Sequence, residues 1–384
     1  MPDISYPGVY IEEVSVPHSI AGVATSVAAF VGSTPSGPID QPTRLTSFVE
    51  FERAFDAASA TTPLGVGVRL FFLNGGKAAV VVRTTGSPAP TAPDATGIYA
   101  LEAEDFNLLC LPELGADGPP TDPAETAAAL AAASRLCEAR RAILIVDPLP
   151  SWHSAADVVS GPAGLATVTA GVRRANAAVY FPRLAAAGGG APQELAPSGA
   201  VAGIIARSDL TRGVWRAPAG QDATIAGAGG LATTLSQGEA RSLNRLGVNT
   251  LRTFHGAGTV VWGARTLDGA DATASEWKYL PVRRMALFIE ESLSRGLAWA
   301  VFEPNDEVLW ATIRNSVGWF LYTLFKQGAF QGVTPSDAFF VKCDRDSTTQ
   351  QEIDAGIVNI VVGIAPLKPA EFVILQIRLM AGSA

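Results

Sequence analysis

Four short apolar runs, separated by longer segments, limit what this chain can fold into. KAAVVVRTT (77–85), FNLLCLPEL (106–114), AILIVDPLP (142–150) and AAVYFPRL (177–184) are of strand length and lack apolar/polar alternation. A strand of that kind is covered on both faces, as in a parallel sheet flanked by helices. PAETAAALAAASRLCEARR (123–141) has the length and composition of a helix, and a weaker helical segment lies near 163–175. Strands alternating with helices predict an α/β fold, because parallel neighbours need a crossover of about a dozen residues or more.

The remaining segments are assigned by local chemistry. PGVYIEEVS (7–15) reads as a short extended strand with no obvious local partner, and VATSVAAFVG (23–32) as a buried strand. Ser47 and Glu50 have capping-box spacing at the head of a helix through Phe55, and a second helix over 64–73 stops at Asn74-Gly75-Gly76. GSPAPTAPDATG (86–97) is dense in proline and glycine and predicts a domain boundary, and AAAGGGAP (185–192) a surface loop. PSGAVAGIIARSD (197–209) predicts a helix, and GVNTLRTFHGAGTVVWGARTL (247–267) two strands around a turn at His255–Gly258.

Two amphipathic helices follow. In 282–300 the residues Val282, Met285, Ile289, Leu293 and Leu297 make one stripe, and in the next helix Leu309, Ile313, Val317, Phe320 and Leu324 make another. Asn305 is the expected N-cap of the second, with Lys326 and Gly328 suited to its C-terminal end. The chain closes with strand-like GIVNIVVGI (356–364) and FVILQIRLM (372–380).

A length of 384 residues predicts two to three domains. The three cysteines, Cys110, Cys137 and Cys343, stand apart in the sequence and read as reduced, buried thiols. No run reaches the roughly 20 apolar residues needed to cross a bilayer, so direct membrane insertion is not expected. The N-terminus has no basic start or apolar core of an export signal, which predicts synthesis in the cytoplasm. A net charge of −8 with scattered basic residues gives no footprint for nucleic acid. The glycine clusters at 188–190 and 227–230 lack the lysine and hydroxyl of a phosphate-binding loop, so no nucleotide cofactor is expected. Three histidines without a second ligand at metal spacing predict no metal, and Asp344 and Asp346 beside Cys343 read as a solvated turn.

Towards the C-terminus, NDEVLWATIRNSVGWFLYTLFKQGAFQG, TPSDAFFVKCD and KPAEFVILQIRL follow one another closely. With PGVYIEE, PTRLTSFVEFERAF, FFLNGG before VVVR, RGVWRAPAG and GVNTLR upstream, this order resembles the sheath proteins of contractile tails, in phages and phage-tail-like injection particles. The resemblance implies a structural subunit rather than an enzyme, part of an assembled particle. Its partners would be copies of itself in a helical homo-oligomer, an inner tube protein, and baseplate and terminator or cap proteins. It implies an α+β core with an inserted subtilisin-like α/β domain, and N- and C-terminal strands exchanged between subunits. The expected division is an N-terminal arm at 1–20, a tube-proximal sheath core at 21–88 plus 245–365, an outer subtilisin-like domain at 89–244, and a C-terminal arm at 366–384. The assembly residues would be Val9, Tyr10, Ile11, Glu12 and Val14 in the first arm, and Phe372, Val373, Ile374, Leu375, Gln376, Ile377, Arg378 and Leu379 in the second.

Two other functions compete with this one. A baseplate or cap component could share the sheath core without contracting. A subtilisin-like hydrolase would use Asp147, His153 and Ser198, but only five residues separate the aspartate from the histidine, where subtilases have tens. The simpler reading makes Ser198 a helix N-cap and His153 a loop residue.

Overall fold

The computed structural model describes residues 18–89, 96–115, 122–187 and 193–371. These fall into two units: 18–22 with 291–365, and the larger one, 23–290 with 366–371.

The apolar runs become the strands of the larger unit. In chain order these are β1 (Ala28–Gly32), β2 (Thr43–Leu45), β3 (Ala79–Arg83), β4 (Leu108–Cys110), β5 (Ile143–Val146), β6 (Ala177–Phe181), β7 (Leu184–Ala186), β8 (Glu194–Leu195), β9 (Ala228–Leu231), β10 (Val248–Phe254) and β11 (Gly258–Trp262). Eight form one sheet in the order β11-β10-β6-β5-β4-β1-β3-β2, and β8-β7-β9 form a small second sheet. From β3 to β10 all neighbours run parallel, and β2 and β11 close the two edges antiparallel.

Successive side chains on a strand point to opposite faces, and the register aligns them across the sheet. Ala28 lies beside Ala79 and Leu108, and Leu108 beside Ile143. That set, with Phe30, Val81, Cys110 and Ile145, packs against helices Phe48–Phe55, Pro63–Leu73 and Ser198–Arg212 through Phe51, Phe71, Val201 and Ile205. The intervening set, Ala29, Val31, Val80, Leu109, Leu144 and Val146, packs against helix Pro123–Ala139 and the short helices Ala155–Ser160 and Leu165–Val168. Each fully buried aliphatic or aromatic side chain contributes roughly 1.5–3 kcal/mol, so neither layer of helices is dispensable.

This sheet runs through the expected division of the chain. Strands from 21–88 and from 245–265 pair in the same ladder as strands from 89–244. The proline-rich stretch is a connection fastened at its far end: Gly97 N donates to Asp40 Oδ1 at 2.8 Å and Ile98 N to the Pro88 carbonyl at 2.9 Å. The break between units falls at 290/291, within helix Leu280–Gly296. Val282, Met285 and Ile289 of its expected stripe are buried, but the helix ends at Gly296, and Ala298–Ala300 forms a separate 3-10 turn. The helix expected over 163–175 is also shorter, Leu165–Val168, because Gly164 and Gly171 bracket it and Gly171 takes φ +75°.

In the smaller unit the 20-residue helix Glu307–Lys326 buries the whole predicted stripe. Its N-cap is Asp306 rather than Asn305: the Asp306 carboxylate accepts from Val308 N and Leu309 N, both at 3.0 Å. Asn305 is used otherwise, accepting from Trp310 Nε1 at 2.8 Å and donating to the Ile357 carbonyl at 3.1 Å. At the other end Gly328, at φ +75°, allows its own N–H to reach the Phe325 carbonyl and that of Ala329 to reach Leu324, the paired bonds of a Schellman stop. Two more strands, β12 (Phe339–Lys342) and β13 (Val361–Ile364), pair antiparallel as a separate two-stranded sheet.

The tightest helix contact in the larger unit depends on missing side chains. A Cβ on Gly199 would overlap the Gly67 carbonyl oxygen, and one on Gly203 the Phe71 carbonyl oxygen. Gly199→Ala is therefore expected to cost about 1–3 kcal/mol by overpacking, whereas Gly238→Ala, in open space on helix Gln237–Arg245, should be neutral or stabilising by up to about 1 kcal/mol. Urea midpoints of the two variants check this, and equal midpoints would contradict it.

Candidate functional site

The arm residues singled out in the sequence, Val9–Val14 and Phe372–Leu379, lie outside the described residues. Their attachment points do not. At the N-terminal root, in the smaller unit, His18 holds φ +69° and stacks on Trp299 with ring centroids 4.0 Å apart and planes 12° apart. Ile20 is nearly buried against Gly296, where any side chain would collide with it. At the C-terminal root, in the larger unit, Glu371 is gripped by Arg265: Nε donates to Oε1 at 2.7 Å and Nη2 to Oε2 at 2.6 Å. The Tyr279 hydroxyl stands 3.4 Å from Oε2.

The smaller unit also carries a two-stranded sheet. Among the described residues, β12 and β13 pair only with each other. Two-stranded sheets are marginal alone, and their edges are templates for a further strand. Side chains beside the edges are apolar and wet: Phe340 is 52% exposed and Val361 45%. Of the fourteen large apolar side chains exposed among the described residues, eight are in this unit, including Phe302, Val333 and Ile357. More than half of them therefore lie in the shorter of the two units.

The hydrolase residues are not assembled as a triad. Asp147 and Ser198 do meet, where β5 ends and helix Ser198–Arg212 begins, but through the main chain: Ser198 N donates to Asp147 Oδ1 at 2.7 Å. Ser198 is thus the first helical residue, not the N-cap, and Asp147 from a neighbouring strand satisfies the helix terminus and its dipole. Burial pushes the Asp147 carboxyl up to about 6, opposed by the Ser198 hydroxyl and N–H and by the Arg183 guanidinium. The adjacent Cys110 thiol is raised well above its ordinary range, first by burial and then by Asp147, which keeps it unreactive. Ser198 is wholly buried, while His153 is exposed, and its main chain donates to Asp157 and accepts from Thr233.

The remaining sequence candidates resolve into local structure. Asp344 Oδ1 accepts from Asp346 N at 2.9 Å and Ser347 N at 3.0 Å, a self-contained turn. Gly227 turns the chain at φ +83° into β9. Among the described residues no three potential metal ligands gather, and no helix is long and apolar enough to cross a membrane. Sequence reasoning missed the Arg265–Glu371 pair, whose only local signal is an arginine at the end of the apolar run VVWGAR. It also missed β12, and helix Gln237–Arg245, which the capping-box spacing of Ser236 and Glu239 does announce.

Comparison with known proteins bears on the whole chain. A family model described as phage tail sheath protein central domain matches residues 89–267, and one described as phage tail sheath C-terminal domain matches 272–380. The sheath of an extracellular contractile injection system, the PVC sheath complex in its contracted state, is 30% identical with TM-score 0.77, covering 98% of this chain and 98% of that one. The contracted helical sheath of the anti-feeding prophage (AFP) is 31% identical with TM-score 0.75, covering 97% of this chain and 99% of that one. The tail sheath protein of Vibrio phage KVP40 is 26% identical over 180 residues, which is 47% of this chain but only 26% of that longer protein. Matched over nearly its full length by these solved sheaths, the chain belongs to the contractile tail sheath family.

Proposed function

We propose that this protein is the repeating subunit of a contractile sheath, polymerising helically around an inner tube, and that its two ends supply strands to neighbouring copies. The observation that carries this is the β12–β13 sheet, two-stranded among the described residues, in a chain whose first and last segments are strand-like in sequence and whose relatives are sheaths. A strand laid along either edge satisfies main-chain groups and offers pockets to alternate side chains. In FVILQIRLM, Val373, Leu375, Ile377 and Leu379 would form one such face. Six added hydrogen bonds at a net ~0.5–1.5 kcal/mol each, with several aliphatic side chains at ~1.5–3 kcal/mol each, make a joint that survives while the bodies move.

Head-to-tail contacts that do not close into a ring generate a helix from one kind of subunit. Contraction follows when bodies held in an extended, kinetically trapped lattice find more favourable packing in a shorter one. No nucleotide is needed, which agrees with glycine clusters that lack the residues of a phosphate loop. The inner tube, and a baseplate and terminator at the two ends, are the partners this role requires. The doubly covered parallel sheet serves as the rigid body, and its segment 89–244 is the one we liken to subtilisin in fold. Fold alone carries no protease activity, and the buried Ser198 speaks against one here.

Two outcomes test this reading. Deleting residues 1–15 is expected to leave a folded monomer that no longer polymerises; ordinary tubes from that truncation, seen by negative-stain microscopy, would overturn the arm assignment. Asp147→Asn keeps an oxygen for the Ser198 N–H but removes the charge. Because the Asp147 carboxyl titrates near 6 when folded and near 3.8 ordinarily, its ionisation is a cost present in full above about pH 6 and relieved as pH falls towards 4. The variant should therefore assemble normally, and on acidification from pH 6 to 4 the wild-type melting temperature should gain relative to that of the variant; a constant difference between the two would mean that Asp147 is not the perturbed group.

A further inference from the structure

We propose that Arg265 is the anchor of the C-terminal arm: a buried guanidinium that holds Glu371 and so fixes the point at which the chain leaves its own subunit. The inference rests on the reading of the arms given above and adds the device that makes the C-terminal one effective.

Arg265 is 1% exposed, and its position is set by the sheet rather than by Glu371. Its backbone N donates to Asn249 Oδ1 at 2.7 Å, and Asn249 Nδ2 returns bonds to the Arg265 carbonyl at 2.8 Å and to Val179 O of β6 at 3.1 Å. Nη1 is held by the Asn244 carbonyl at 2.8 Å, the Gly269 carbonyl at 3.1 Å and Asp271 Oδ1 at 2.9 Å. The remaining edge of the fork, Nε and Nη2, is thereby aimed at one planar anion, and the Glu371 carboxylate fills it with two parallel bonds. Asp271 cannot replace it, because that carboxylate is shared with Lys278 at 3.1 Å. A buried guanidinium left with one edge empty is costly, so the site is built as a receptor for a single carboxylate.

The place of that carboxylate in the chain gives it a role in assembly. Glu371 is the last residue before the apolar run that begins at Phe372, and PLKPA (366–370), stiffened by Pro366 and Pro369, leads into it. A strand that departs from a fixed root reaches its acceptor with a defined origin and a restricted search volume. Released at Glu371, the same strand would hang from a longer tether, and its effective concentration at the acceptor would fall. The clamp also gives any load along the arm a route into the sheet through β6 and β10, instead of into a loose loop.

Full-length Glu371→Gln, a deletion of residues 372–384, and an insertion of Gly-Ser-Gly directly after Glu371 separate the possibilities when critical concentration for polymerisation and melting temperature are measured together. The deletion should abolish polymerisation; if it polymerises as wild type, the arm reading fails and the anchor with it. Glu371→Gln should raise the critical concentration by roughly tenfold or more. If the deletion abolishes assembly but Glu371→Gln polymerises as wild type, the anchor is overturned and the arm reading stands. Should Glu371→Gln fail to fold, the insertion decides, since it leaves the clamp intact and loosens only the arm: a raised critical concentration at wild-type melting temperature supports the anchor, and wild-type assembly overturns it.

Discussion

Side-chain alternation on a parallel ladder is the constraint from which the larger unit follows. Because β1, β3, β4, β5, β6 and β10 place apolar residues on both faces, helices must cover both, and parallel connections supply them. Once both faces are covered, the strand ends become the places where polar groups need attention. Asp147 leaves the carboxyl end of β5 and satisfies a helix start that contributes no capping side chain of its own. Arg265 stands just beyond β11 and gathers the carbonyls and carboxylates around it. Both sites thus satisfy polar groups where the buried sheet terminates.

The smaller unit follows a different logic. Its long helix buries one stripe and its caps are complete, yet among the described residues its sheet has only two strands and several large apolar side chains stand in water. A two-stranded sheet of this kind is suited to accepting a further strand. In the sheath proposed above, such completion would tie subunits together without fusing their bodies, so that the bodies shift while the ties persist. The proposed Arg265–Glu371 anchor fits that reading, in which one end of the tie needs an acceptor and the other a fixed root.

Much of the architecture was legible in the residues. The continuous runs such as ILIV and AAVYF announce strands buried on both faces, and the stripe from Leu309 to Leu324 announces a helix, because those patterns depend on local periodicity alone. What escaped the sequence depends on distant partners. Nothing in the proline-rich stretch at 86–97 reveals that strands on either side of it share one ladder. Asn305 and Asp306 are both good caps, and only the demand of Trp310 Nε1 for an acceptor decides between them. Ser198 resembles a cap or a nucleophile until Asp147, 51 residues away, is found occupying that role. Arg265 and Glu371 are 106 residues apart, so no pattern in either segment reveals the pair. The family resemblance, by contrast, was carried by ordered motifs along most of the chain and needed no contacts at all.

The central claim is that copies of this chain complete one another's sheets, and a helical reconstruction of the polymer by electron microscopy tests it most directly. The account requires density for added strands along β12 and β13 that traces back to other subunits. If both edges remain bare in the assembled tube, or are filled by segments of the same subunit, the account is wrong.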